Sequence, residues 1–432
     1  MKVQARLGLL GVAMAFGCLS VDAQTVQKLS LHDAEQIAIQ NHPQIQAATN
    51  LAVAAKAQVT QAQSAYYPVA FGSITAVDAE NNSRITAGAL NNPIIYERYA
   101  NGLMVQQLIT DFGRTHELVK SSNLHAQAAQ ESVVNTRADV LLTVDRAYFG
   151  VLKAQTVLNV AQETVKDRQL VSDQITELEK NKIKSGLDVS FANVDLAQAQ
   201  LLLIQAQNDL DTSYAQLAAA LGYGDTRIFQ LFEEPLPAAP PPDFSVLLRE
   251  AIQNRPDLAS LRLDAASAHS YATAQRDLWF PTVSAEGAAG LTPVGADQLA
   301  PRYAAAGVNV NIPIFNGHLF GALRTEAVSR ARADDQYVRD LQDQIVRDVR
   351  TAWLGANSAY QRLSVAAQLL KNATDALDLA QARYKLGLSS IIELSQAQLN
   401  LTQAQLASAT AKYSYQMQFS TLLYQIGSLH QP

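Results

Sequence analysis

Apolar residues recur at heptad spacing in two long, otherwise polar stretches of this chain. The first stretch runs from about residue 115 to 184, and the second repeats its frame in the other half. About 65 uninterrupted helical residues would form a rod of roughly 100 Å, which needs partner rods. Small residues at every d position predict close coiled-coil packing. The a and d positions are Val144, Val151, Leu158 and Val165 with Ala147, Ala154 and Ala161, then Val349, Ala356, Leu363 and Leu370 with Ala352, Ala359, Ala366 and Ala373.

A shorter helix is predicted to follow each long one after a glycine turn. In the first half Leu196, Leu203, Leu210 and Leu217 form its seam, and an opening helix is predicted from Leu31 to Ala65. Each short helix is about half as long as the long one. We therefore expect each half to place one long helix beside two short helices stacked end to end.

Period-two segments separate the opening and long helices. We expect strands at Val69 to Val77, Tyr99 to Thr110, Thr282 to Gly290 and Tyr303 to Phe315. In the last of these, Val308, Val310 and Ile312 alternate with Gly307, Asn309 and Asn311, as in a strand between lipid and water. Aromatic residues at the strand ends fit an interfacial girdle, namely Tyr66, Tyr67, Trp279, Phe280, Tyr303 and Phe315.

Two soluble hairpins capping a coiled coil are the alternative to membrane strands. Four strands cannot close a barrel, and an open edge in lipid leaves backbone groups unpaired at several kcal/mol each. The smallest membrane barrels have about eight strands. Two chains would supply eight strands and three would supply twelve, and the sequence itself does not choose between them.

The chain is a tandem duplication. Ala38 to Pro43 read AIQNHP and Ala251 to Pro256 read AIQNRP, at an offset of 213 residues that becomes 205 farther along. A repeat of this length is too long for a solenoid unit, so each copy is expected to be half of one body. The predicted domains are 24–222 and 244–432, joined by a Pro-rich linker at 223–243.

The first 23 residues are predicted to be a secretory signal peptide. Basic Lys2 and Arg6 precede an apolar stretch, and cleavage is expected after Ala23, with lipidation at Cys18 as the alternative. Removing Lys2, Arg6 and Asp22 from 33 basic and 39 acidic residues leaves 31 and 38, a net charge of −7 that argues against a nucleic-acid partner. No later apolar run approaches the roughly 20 residues of a membrane helix. We expect no metal site or cofactor.

Duplicated short motifs resemble those of the TolC-type outer membrane efflux proteins over essentially the whole mature chain. The motifs are Asn41-His42-Pro43 and Asn254-Arg255-Pro256, the aromatic-proline strand entries, the exits Asp111-Phe112-Gly113 and Asn316-Gly317, and the turns Gly186-Leu187 and Gly387-Leu388. The resemblance implies a mainly α fold with a β membrane part, in which three chains form one twelve-stranded outer membrane barrel and a periplasmic helical tunnel.

The resemblance also implies a function without catalysis. The protein would be the exit duct of a tripartite efflux system, working with an inner-membrane pump and a periplasmic adaptor. Type I protein secretion is the sister possibility, because the pump selects the substrate. A periplasmic coiled-coil adaptor or scaffold is the alternative from another class, although such proteins usually have one helical hairpin.

The resemblance places functional residues at the two glycine turns. It implies a periplasmic constriction at Asp188 and Glu393, with Gln396 replacing a carboxylate found in some members. Asp188 and Glu393 correspond at the offset of 205. Adaptor docking would use Ser185, Gly186 and Leu187 at the first turn and Arg383, Leu386, Gly387, Leu388 and Ser389 at the second.

Overall fold

The computed structural model describes residues 27–78, 80, 84–87, 90–94, 97–295, 297 and 299–429. The predicted signal peptide and Cys18 lie outside these residues. Each half contains one helix of 67 residues, preceded by two short helices and followed by one of 35 residues. The helices are α1 (Leu31–Asn41), α2 (Pro43–Gln63), α3 (Arg114–Lys180), α4 (Gly186–Ala220), α5 (Phe244–Asn254), α6 (Pro256–Arg276), α7 (Leu319–Lys385) and α8 (Ile391–Gln425).

The predicted opening helix is two helices, so a single helix over Leu31 to Ala65 was wrong. Pro43 is the first residue of α2, and its ring pushes His42 into an extended conformation with φ −70° and ψ 123°. The His42 Nδ1 atom accepts a hydrogen bond from Gln44 N at 3.3 Å and caps the new helix. Arg255 and Pro256 produce the same break in the second half.

The long helices carry the core. On α3, Val144 and Val151 are fully buried, and Ala161 is too. The α3 helix contacts α1 and α2 at one end and α4 at the other, and it also packs against α6 and α8. The α7 helix lies beside α5, α6 and α8 in the same way. The predicted arrangement of one long helix beside two stacked short partners is therefore present in both halves.

Four antiparallel strands form one sheet in the order β2-β5-β7-β8. The predicted last strand extends too far, because β8 ends at Asn311 and leaves Ile312 outside it. The next residue is Pro313, which has no backbone N–H to donate to the sheet. The strands are β1 (Gln27–Leu29), β2 (Val69–Val77), β3 (Arg84–Ala87), β4 (Leu90–Ile94), β5 (Arg98–Thr110), β6 (Phe229–Leu231), β7 (Thr282–Gly295) and β8 (Arg302–Asn311).

The Pro-rich linker is fastened to the helices rather than free. Its β6 pairs in parallel with β1, and the Tyr148 hydroxyl donates to Phe232 O at 2.8 Å. Farther along, Trp353 Nε1 donates to Pro241 O at 2.9 Å, and the Tyr415 hydroxyl donates to Ala238 O. The linker therefore ties both halves together at the middle of the helices.

One helix in the described part of the chain, Gly186–Ala220, is long and apolar enough to cross a membrane by length and composition. The apolar runs of the sequence predict no such helix. This helix is α4, the return arm of a hairpin, and it packs along α3 through Ala192, Ala199 and Ala206. Only 11% of its most apolar window is buried within the chain, which leaves an apolar side uncovered.

Candidate functional site

The first helix turn holds Asp188 in a capping box. Ser185 precedes α4, and its hydroxyl accepts from Asp188 N at 3.3 Å. The Asp188 carboxylate accepts from Ser185 N at 2.9 Å and from its hydroxyl at 2.8 Å. These bonds, the backbone one first, hold the pKa of Asp188 below its usual value. The carboxylate is therefore ionised and engaged in starting α4.

The second turn is organised by Arg383. Its Nε atom lies 3.1 Å from Glu393 Oε1, and its Nη2 atom donates to Leu388 O at 3.3 Å. Gly387 supplies the left-handed residue that ends α7, with φ 75°. Ser390 caps α8 by accepting from Glu393 N at 3.4 Å. The contacts of Arg383 with Glu393 and Leu388 give this residue a structural role that could not be read from the sequence.

The fold brings the two turns together. Ile175 and Ala192 of the first hairpin pack with Ile391 and Leu394 of the second in one buried cluster. Gln396, one turn farther along α8, donates to Asn400 Oδ1 at 2.9 Å instead of contacting Glu393. Asp188 and Glu393 both stand in the first turn of their helices, with Glu393 46% exposed in its side chain.

A second contact joins the turns across the hairpins. The Lys184 Nζ atom lies 4.2 Å from the centroid of the Tyr384 ring. A cation over an aromatic face is worth about 0.5–1 kcal/mol at an exposed site. Several apolar side chains are exposed at the same end, among them Leu187, Leu386 and Leu388. The helix ends therefore combine a buried apolar cluster between the two turns with an apolar outer surface.

On β7 and β8 the sheet has an apolar and a polar face. Residues directly opposite in neighbouring strands share a face, and Val310 pairs with Val283 while Val308 pairs with Ala285. Ile312 follows the same alternation beyond the end of β8. The opposite face carries polar residues on three strands, namely Thr282, Ser284 and Glu286 of β7, Asn309 and Asn311 of β8, and Gln106 of β5. We call these six residues the polar face.

Glu286 is a candidate functional residue that was not predicted from the sequence. Its Oε1 atom accepts from Gln106 Nε2 at 3.2 Å, across the β5–β7 pair. The signal was present, because Thr282, Ser284 and Glu286 alternate with smaller apolar residues at period two. That alternation places the carboxylate on the polar face.

Aromatic contacts gather where the sheet meets the helices. Phe112 packs against Phe280 at 6.2 Å between ring centroids, and Trp279 packs against Phe320 at 5.8 Å. Tyr66 and Tyr67 are exposed just before the start of β2. An aromatic belt at this level is typical of a protein that passes through a membrane interface.

The family model described as outer membrane efflux protein matches residues 35–223 and 247–428. The chain belongs to the outer membrane efflux protein family. Its sequence is similar to Outer membrane protein TolC of Escherichia coli, with 23% identity over 357 residues that cover 77% of this chain and 72% of that protein. It is also similar to the probable efflux pump outer membrane protein TtgC of Pseudomonas putida, at 22% identity over 348 residues covering 78% and 71%.

The fold of this efflux protein agrees with solved channels. The Campylobacter jejuni CmeC outer membrane channel has a TM-score of 0.79 at 17% identity, covering 98% of this chain and 94% of that one. The structure of the outer-membrane channel OprN has a TM-score of 0.80 at 19% identity, covering 93% and 91%. The expected fold, long helices with a sheet that forms the membrane part, is confirmed.

Membership of this family indicates the function of the chain. This efflux protein is an exit duct in the outer membrane, and it extends into the periplasm. Its family is one of ducts and not of enzymes. The duct is thereby preferred to the periplasmic scaffold considered from the sequence.

Proposed function

We propose that three copies of this efflux protein form one twelve-stranded barrel and one helical tunnel. We also propose that the helix ends dock a periplasmic adaptor, which connects the duct to an inner-membrane pump. The number three follows the family resemblance. Two features of the single chain support self-assembly, one in the sheet and one in the helices.

The sheet has two outer edges that need a partner. Among the described residues, β2 and β8 each pair along one side only. In lipid, every unpaired backbone N–H or C=O at such an edge costs several kcal/mol. Pairing β8 of one copy with β2 of the next would remove both edges.

The duplication of the chain is the observation that carries the proposal, because it predicts a helix contact between copies. Within one chain, α3 packs against α8. The α7 helix is the repeat of α3, and α4 is the repeat of α8. The equivalent contact is therefore between α7 of one copy and α4 of the next.

The surfaces involved in that contact are apolar and exposed in the single chain. A groove of about 710 Å³ runs between α7 and α8 and is lined by Val365, Leu369 and Leu406. Leu406 is the counterpart of Leu201 at the offset of 205, so the groove and the middle of α4 lie at equivalent heights. The α4 side chains exposed on one side of that helix are Leu187, Phe191, Val194, Leu201 and Ile204.

Adaptor docking at the helix ends is supported by the exposure of three leucine side chains there. Leu386 is 73% exposed, and Leu187 and Leu388 are each 65% exposed. Ser185 and Gly186 begin α4, while Arg383, Gly387 and Ser389 shape the second turn beside these leucines. Isolated apolar side chains gain by burial about 1.5–3 kcal/mol each, which favours an apolar partner surface here.

The experiment is a mass measurement in detergent combined with single-channel recording in a planar bilayer. We expect a species of three chains that produces discrete conductance steps. The double variant Leu201→Asp with Ile204→Asp should yield monomers and no steps. Gln207→Glu, which adds a carboxylate at an exposed position about 90° around the same helix, should assemble normally. A soluble monomer that never inserts would overturn the proposal.

A further inference from the structure

The sheet places one carboxylate at an unusual position. Glu286 is the only acidic residue in β2, β5, β7 and β8, all of whose residues the structure describes. It lies directly opposite Gln106 on β5 and Gly307 on β8. Because Gly307 has no side chain, the space beside the carboxylate is open on the β8 side.

The neighbours of Glu286 contribute no cation. Gln106, Ser284 and Asn309 are the polar side chains closest to it in register, and all are neutral. On β8, Arg302 is the nearest cationic residue, but it is five residues beyond Gly307 and on the opposite face. Five residues of strand correspond to about 17 Å, so no charge compensates Glu286 within β8.

The barrel geometry determines how far apart the Glu286 carboxylates of three copies would lie. Twelve strands about 4.8 Å apart and tilted by about 40° give a backbone radius of roughly 12 Å. Three carboxylates inside such a wall lie about one to two Debye lengths apart at physiological salt. Their fields therefore overlap in the lumen at low ionic strength and are screened at high ionic strength.

We propose that Glu286 forms a ring of carboxylates inside the barrel that favours the passage of cationic solutes over anionic ones. The polar face is the lumen face because Val308 and Val310 on the other face suit lipid. Rings of acidic side chains are a recognised source of cation preference in pores. The inference rests on the proposed three-copy barrel, and it adds a site that determines charge preference at the outer end of the duct.

The test measures reversal potentials across a KCl gradient for single channels of the full-length protein. All the channels that are compared carry Glu393→Gln and keep Asp188, so that the carboxylates at the helix ends are the same in each. Glu286→Gln keeps the size of the side chain and its contact with Gln106. We expect the permeability ratio of potassium to chloride to fall about twofold at about 0.05 M salt and to change little at about 1 M. Asn309→Asp, which adds a carboxylate on the same face, should raise the ratio.

Three results are distinguishable. A lower ratio for Glu286→Gln at low salt with unchanged conductance steps supports the ring. An unchanged ratio with normal steps overturns it and leaves the duct intact. If the unmodified protein produces no steps and no three-chain species, the barrel itself is wrong, and the ring is overturned with it.

Discussion

The ring of Tyr303 on β8 lies against the backbone of Gly290 on β7. A Cβ atom at position 290 would stand 2.4 Å from both Cζ and Oη of the tyrosine. The same ring reaches Gly102 on β5, where an added Cβ would lie 3.0 Å from Cζ. One aromatic side chain therefore covers two glycines and links three strands.

We expect Gly290→Ala to weaken the sheet, because the added Cβ would stand 2.3 Å from the Asn101 carbonyl oxygen and would also force this ring away. Overpacking of this kind costs about 1–3 kcal/mol. The measurement is the temperature at which the assembled protein dissociates in detergent. Gly307→Ala is the matched control, because nothing lies within 4 Å of a Cβ added there. Equal melting of the two variants would contradict the close packing of the strands and of Tyr303 around Gly290.

We expect Val310→Arg to prevent stable insertion into the outer membrane. Val310 lies on the apolar face, one residue before the end of β8. An arginine on a lipid-facing strand costs up to about 1 kcal/mol per chain near the interface and about 2–4 kcal/mol at the bilayer midplane. The amount of protein in washed outer membranes measures the effect. Asn309→Arg, on the polar face of the same strand, should insert much better. Normal assembly of Val310→Arg would show that the apolar face does not meet lipid.

We expect Glu393→Ala to weaken block of the channel by divalent cations added at the periplasmic side. Half-exposed Glu393 offers a carboxylate beyond its contact with Arg383, and multivalent cations bind rings of such groups. The blocking concentration in single-channel recordings measures this. Gln396→Ala removes no charge and should leave block unchanged. Unaltered block in Glu393→Ala would remove this residue from the constriction.

We expect the junction of α1 and α3 to loosen as pH rises. Glu35 and Asp145 meet there, and Asp145 is 2% exposed. Burial raises the pKa of both carboxyls, and for Glu35 the charge of Asp145 adds to the effect and brings the pKa to about 8. The pKa of Glu35 is thus higher in the folded than in the unfolded chain. The stabilising contribution is complete below pH 4.5, the ordinary value, and is lost as pH rises to about 8.

Hydrogen exchange of the α1 amides, corrected for the intrinsic rate, measures this effect. Protection should fall by up to about tenfold per pH unit inside the window. Glu35→Gln removes one of the two titrating groups and should reduce the slope to the part that Asp145 contributes, whereas Glu163→Gln on an exposed side of α3 should leave the slope unchanged. A flat profile in the unmodified protein would contradict the raised pKa of Glu35.

The sequence determined the elements that depend on local pattern. The heptad seam through Val144 and Val151 fixed the long helices, and the alternation at Val308 and Val310 indicated a strand with one apolar face. Local rules also explain one error, since Pro43 signals a helix start as well as a break. The duplicated order of short motifs was specific enough to indicate the family.

Only the tertiary structure decided which side chains each carboxylate contacts. Asp188 and Glu393 are equivalent in the repeat, yet one caps its own helix while the other pairs with Arg383. Glu35 and Asp145 are distant in sequence, and so are Glu286 and Gln106. Periodicity reports which side of an element is apolar because it is a property of neighbouring residues. Strand register and helix packing are set by contacts between distant residues, and these contacts determine the environment of each carboxylate.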